Sequence, residues 1–171
     1  MSTVPVSTTT RRRRIPVLGT RVVVVREDSI PFAEPVQANT PRIIAGLFNA
    51  YLADADREHL VAFLLDTKHR VVGVHEIAAG TLDSVHTNTR EMFRAAVASN
   101  AKGLALAHNH PSGDTNPSEA DHALTETAVR AGRVLGIAVL DHVIVAPDGS
   151  FYSFLERGLL ARIPKDDTEA A

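Results

Sequence analysis

The chain of 171 residues contains no cysteine and no tryptophan. Without thiols there can be no disulfide, no thiolate metal site and no cysteine nucleophile, a composition that suits a reducing cytoplasm. No apolar run approaches the roughly 18 residues that a membrane span requires. No apolar core of a secretion signal follows the N-terminal arginines either. Charge of one sign is also lacking: the formal net charge is −2. A basic footprint for nucleic acid spread over the whole chain is therefore absent.

What is there suits one soluble globular domain. Hydrophobic residues make up 44% and charged residues 22%, ordinary proportions for a chain long enough to bury a core. Residues 1–18, rich in Ser and Thr and ending in the run Arg11 to Arg14, read as a basic arm. Its bland reading as a solvated tail is preferred to a contact with nucleic acid. The domain is expected over residues 19–161, with a polar tail at 162–171.

Inside the domain, Arg21 to Arg26 and His59 to Leu65 are β-branched or apolar runs that predict strands. Arg70 to Ile77 predicts the return strand of a hairpin with the latter. Ile44, Leu47, Phe48, Tyr51 and Leu52 fall on one helical face behind the cap Thr40-Pro41. A second helix is expected from Thr89 to Ser99, capped by Asn88. A third runs from Pro117 to about Val134, with Ala120, Leu124, Ala128, Ala131 and Leu135 inward. Ile137 to Val145 and the surroundings of Phe151 complete a mixed sheet flanked by helices, α/β in character.

The most informative stretch is Ala107 to Asp121, AHNHPSGDTNPSEAD. It follows a buried strand beginning at Gly103. His108 and His110, two apart at the strand end, project from one face. Pro111 to Asp114 makes a turn, and Asn116-Pro117 opens the helix, with Asn116 as N-cap and Glu119 in a capping-box position. Asp121 then lies where its carboxylate can return to the histidines. Two imidazoles and a carboxylate suit Zn2+ with a fourth position left for water, whose pKa falls to about 7 on such a metal. Asn109, on the opposite strand face, is expected to brace the turn, and Asp114 to be a turn residue.

The string His108-Asn-His-Pro-Ser-Gly113 with Pro117-Ser118 and Asp121 resembles the JAMM (MPN+) motif of zinc metallopeptidases. More narrowly, it is similar to the RadC branch of that superfamily. The likeness continues through Gly80-Thr81-Leu82, Thr89-Arg90-Glu91, Leu140 to Ile144 and Tyr152 to Phe154, about residues 56–160. It implies an α-β-α layered, cytidine-deaminase-like core and a metal-activated water that attacks an amide or isopeptide carbonyl of a peptide or protein. It also implies an upstream Glu as general base, with Glu76 the best match and Glu58 the alternative. Ser118 takes the serine position of the motif, either steadying the oxyanion or serving as a plain cap residue. His142 reads as a satisfied core histidine rather than a group behind the ligands. The RadC name carries a second reading, an accessory role in DNA repair. Longer RadC proteins have a helix-hairpin-helix-like N-terminal region, and no such signature is seen in the first 55 residues.

Overall fold

The computed structural model describes residues 36–52, 55–80 and 88–164. The basic arm, the strand expected at 21–26 and the polar tail beyond residue 164 lie outside the described residues. Helix α1 spans Pro41–Tyr51, followed by strands β1 (His59–Leu65) and β2 (Val71–Ala79). Helix α2 (Thr89–Ala98), strand β3 (Gly103–Asn109) and helix α3 (Glu119–Leu135) come next. Strands β4 (Ala138–Val145) and β5 (Phe151–Ser153) and a short 3-10 turn at Leu160–Arg162 finish the domain. Among the described residues, no helix is long and apolar enough to cross a membrane.

The strands form one mixed sheet in the order β2-β1-β3-β4-β5. β1 is antiparallel to both of its neighbours, and β3 runs parallel to β4 through the crossover helix α3. A parallel pair needs such a crossover because its ends lie at opposite edges. β3 sits at the centre with every residue buried, as its apolar run requires.

Alternation along the strands divides the core in two. Val61, Phe63, Leu65, Ala105, Ala107, Val143 and Val145 meet Ile44, Leu47 and Phe48 of α1 on one face. Ala62, Leu64, Leu104 and Leu106 meet Met92, Phe93 and Ala96 of α2 and Ala128 of α3 on the other. The result is the expected α-β-α layering. Thr40 caps α1 by accepting from the Ile43 N–H, and Asn88 caps α2 by accepting from Arg90.

Helix α3 departs from its expected boundaries and face. It starts at Glu119, and the cap is Ser118, not Asn116. Ser118 and Asp121 form the capping box, each side chain bonded to the other's backbone N–H. The inward stripe is Asp121, Thr125, Ala128, Val129 and Gly132, so Ala120 and Leu135 face solvent. Apolarity alone misplaced the stripe because two of its inward members are polar. Gly132 allows the close approach of α3 to the start of β4: a Cβ there would lie 2.4 Å from the Ile137 carbonyl oxygen.

Candidate metal centre

The centre is built where β3 ends. His108 is the last strand residue but one and is fully buried; His110 lies just past the strand. The chain then turns, with the Gly113 N–H donating to the His110 carbonyl at 3.0 Å. Gly113 takes a φ of +85°, which only glycine adopts without strain. Asp114 is a turn residue, its Oδ1 accepting from the Asn116 N–H at 2.9 Å. α3 begins after this turn and returns Asp121, also buried, to the two histidines.

His108 Nε2 and His110 Nε2 are 3.0 Å apart, and His108 Nε2 is 3.1 Å from Asp121 Oδ1. His110 Nε2 is 3.6 Å from Asp121 Oδ2. Tetrahedral ligands about 2.0–2.1 Å from zinc lie about 3.3 Å from each other. The three side chains thus stand at the spacing of a metal's coordination shell.

Hydrogen bonds behind the ligands fix which nitrogen carries each proton. The Asp114 carbonyl, which can only accept, lies 2.6 Å from His110 Nδ1, so the proton of a neutral His110 is on Nδ1 and Nε2 is bare. A longer chain sets His108. The Thr125 hydroxyl donates to the Asp121 carbonyl at 2.6 Å and thereby spends its one proton. It must then accept from His142 Nδ1, 2.7 Å away. His142 Nε2 is left as an acceptor, and it receives the proton of His108 Nδ1 at 2.8 Å. His108 Nε2 is consequently bare as well. Two imidazole lone pairs and a carboxylate converge on one point, an arrangement that calls for a cation.

The charges agree with that reading. Burial alone would push Asp121 up, but wherever a proton takes the cation's place on Nε2, the hydrogen bonds from His108 and His110 hold its carboxyl far below the ordinary range. His110 is raised, chiefly by its bond to Asp121. His142 is lowered well below its usual value by burial, so it is the neutral ring that the proton chain requires. Its stacking on Phe154, with centroids 5.1 Å apart and planes at 11°, fixes the ring orientation. His142 is the satisfied core histidine expected, with both ring nitrogens bonded, and one of those bonds supports His108. Thr125 had drawn no notice in the sequence. A hydroxyl four residues after Asp121 on a helix was the available signal.

A family model described as the RadC-like JAB domain matches residues 38–159. The chain belongs to this family. Among its relatives is a UPF0758 protein of Desulforamulus reducens, 41% identical over 132 residues, which are 77% of this chain and 58% of that protein. A UPF0758 protein of Rubrobacter xylanophilus is 42% identical over 122 residues, 71% of this chain and 53% of the relative. One from Desulfitobacterium hafniense is 41% identical over 143 residues, 84% of this chain and 60% of the relative. The chain thus spans rather more than half the length of these curated relatives.

Within the RadC-like domain, the two candidate bases are separated by the sheet. Glu76 pairs in register with Val61, whose side chain is in the α1 face of the core. Its carboxylate lies 3.6 Å from His59 Nδ1, away from the metal face. The cause is a register shift between Leu64 and Leu65. Continued without it from the Leu65–Val71 pair, the hairpin would set Glu76 opposite Leu60, which pairs with His108. A slip of one residue turns a strand side chain to the other face. Glu58 has the required parity. The last pair of β1 with β3 is Leu60 with His108, and the same alternation carried two residues further would turn Glu58 to the face of His110. Its charge adds to the raising of His110 that the Asp121 bond dominates.

Ser118 is brought to the centre, and its hydroxyl is engaged there. It donates to Asp121 Oδ2 at 2.6 Å, and the Ser118 N–H donates to the same oxygen at 2.7 Å. Asn109 does not brace the turn. Its amide reaches instead to the backbone of Arg57 and His59.

Proposed function

We propose that this RadC-like domain is a zinc-dependent hydrolase of amide or isopeptide bonds in a peptide or protein. The observation that carries the reading is the convergence of two bare Nε2 atoms and Asp121 Oδ1 at 3.0 and 3.1 Å. Nitrogen and carboxylate ligands, three in number, are the set that zinc takes in hydrolytic sites. His108, His110 and Asp121 would hold the ion, which supplies Lewis acidity toward a carbonyl and lowers the pKa of a water to about 7.

The chain's own groups supply the rest. Glu58, turned by that alternation to the face of His110, takes the proton of the attacking water and delivers it to the departing amine nitrogen. The carbon–nitrogen bond breaks, and the carboxyl and amine products leave with the elements of water added. Ser118 directs Asp121, since its single hydroxyl proton is committed to Oδ2. That role replaces the oxyanion contact expected from the motif.

The test is metal analysis joined to cleavage of a fluorescence-quenched peptide pool. One zinc per chain is expected, and His110→Ala should hold less than about a tenth of that. Glu58→Gln should keep the zinc and lose roughly two to four orders of magnitude in rate, while Glu76→Gln stays within about twofold of wild type. Wild-type zinc occupancy in His110→Ala would overturn the ligand assignment. Full activity in Glu58→Gln would overturn the base.

A further inference from the structure

We propose that Asn109, the residue between the two histidines, is a positioning residue that uses both ends of its amide to fix Glu58 on the face of His110. The inference rests on Glu58 as the proton carrier argued above. Asn109 Oδ1 accepts from the His59 N–H at 2.8 Å, and Asn109 Nδ2 donates to the Arg57 carbonyl at 2.8 Å. The two partners flank Glu58 on either side. They lie just beyond Leu60–His108, the last pair of the β1–β3 ladder. The side-chain amide carries one acceptor and a donor at the spacing of a peptide group, and it continues the ladder by one rung after the backbones have parted.

A third bond completes the hold, from the Gly80 N–H to the Glu58 carbonyl at 2.8 Å. The backbone around Glu58 is therefore fixed from β3 on one side and from the end of β2 on the other. Without these bonds the stretch before β1 would have several backbone conformations open to it. A base displaced by about 1 Å loses around a hundredfold in rate. Asn109 sits one peptide unit from each histidine. The amide thus ties the carboxylate-bearing backbone to the same two peptide units that carry the metal ligands. No other short side chain does this: Ser and Thr are too short to reach both partners, and Asp would set an anion against the Arg57 carbonyl.

The experiment uses the full chain loaded with Co2+, whose visible spectrum follows ionisations at the metal and needs no substrate. Glu58→Gln removes an anion beside the site, so the pH midpoint of the spectrum should fall by about one unit. Asn109→Ala should lower it by at least about half as much, with one Co2+ per chain retained. Added to Glu58→Gln, Asn109→Ala should move the midpoint no further, since a positioning residue acts only through the group it positions. Asn109→Thr, better suited to a strand, serves if the Ala variant fails to fold, and the same shift is expected. A wild-type midpoint in both Asn109 variants beside a shifted Glu58→Gln overturns this proposal alone. Equal shifts from Asn109→Ala with and without Glu58 overturn it too, because they mark a disturbed ligand. An unmoved midpoint in Glu58→Gln instead removes the proton-carrier reading on which it stands.

Discussion

Two buried aspartates of this domain behave in opposite ways. Asp121 and Asp141 are 2% and 0% exposed, yet Asp121 is held far below the ordinary carboxylate range while Asp141 is raised to about 6. Asp141 is dominated by burial. Its partners are all neutral donors: Ser153 Oγ at 2.7 Å, the His142 N–H at 2.8 Å and the Leu155 N–H at 2.9 Å. They clip the end of the sheet to the turn that follows β5. Asp121 faces two imidazoles as well as neutral donors. Burial therefore does not tell a site from a clip; the charge that the neighbours can carry does. The contrast is drawn within a single strand. His142 and Asp141 are adjacent on β4, in register with Leu106 and Ala105, so one serves the metal face and the other the fold.

Exchanging one aspartate at a time tests that contrast. Asp121→Asn has the largest expected effect. It should remove stoichiometric metal, read by elemental analysis, and with it the rise in melting temperature that metal gives the wild type. Metal at wild-type occupancy in this variant would erase the distinction between the two carboxylates.

Asp141→Asn should leave metal occupancy intact and change the pH dependence of stability. The folded pKa of Asp141, about 6, is above its ordinary value of 3.8. Its contribution is then fully present below about pH 4 and is lost as pH rises through 6. The whole change is at most about 3 kcal/mol, two units at 1.36 kcal/mol each. Denaturant melts of the Asn variant should be flatter than wild type from pH 4 to 6. An identical slope in the two proteins would remove Asp141 as the titrating group.

Thr125→Val comes third. It frees His142 to take either tautomer and removes the constraint on His108, so metal affinity should fall about 10–100-fold while the fold persists. A competition titration with a chromophoric chelator measures it, and unchanged affinity would mean that His108 keeps its tautomer without help. The smallest effect is expected of Glu76→Gln, within about 0.5 kcal/mol in stability, because its carboxylate is a surface partner of His59.

The convergence of His108, His110 and Asp121 and the layered fold were legible in the sequence because each rests on local chemistry. Strand, turn and cap residues between Gly103 and Asp121 all require one geometry, and α1 shows its buried face in Ile44, Leu47 and Phe48. The rest depends on contacts between distant segments. The choice between Glu58 and Glu76 is one of parity, decided by a register shift in β1–β2 and by the pairing of β1 with β3. The inward face of α3 was misplaced because Asp121 and Thr125 are buried for their bonds and not for their apolarity. The cap moved to Ser118 for a related reason, since its hydroxyl answers to Asp121.

The crossover from β3 through α3 to β4 also sets an order of assembly. His108, His110, Asp121, Thr125 and His142 all belong to this one unit, so the proposed metal centre closes over short stretches of chain. Glu58 arrives from 50 residues before His108, and only the pairing of β1 with β3 brings it in. Contacts of short separation form early in folding, and distant strand pairings form late. On the function proposed above, a nascent domain should therefore capture its metal before Glu58 is in place. In a stopped-flow refolding experiment, metal uptake should precede protection of the His59 amide. On that same reading, the interval would keep a loaded but half-folded chain from hydrolysing its neighbours.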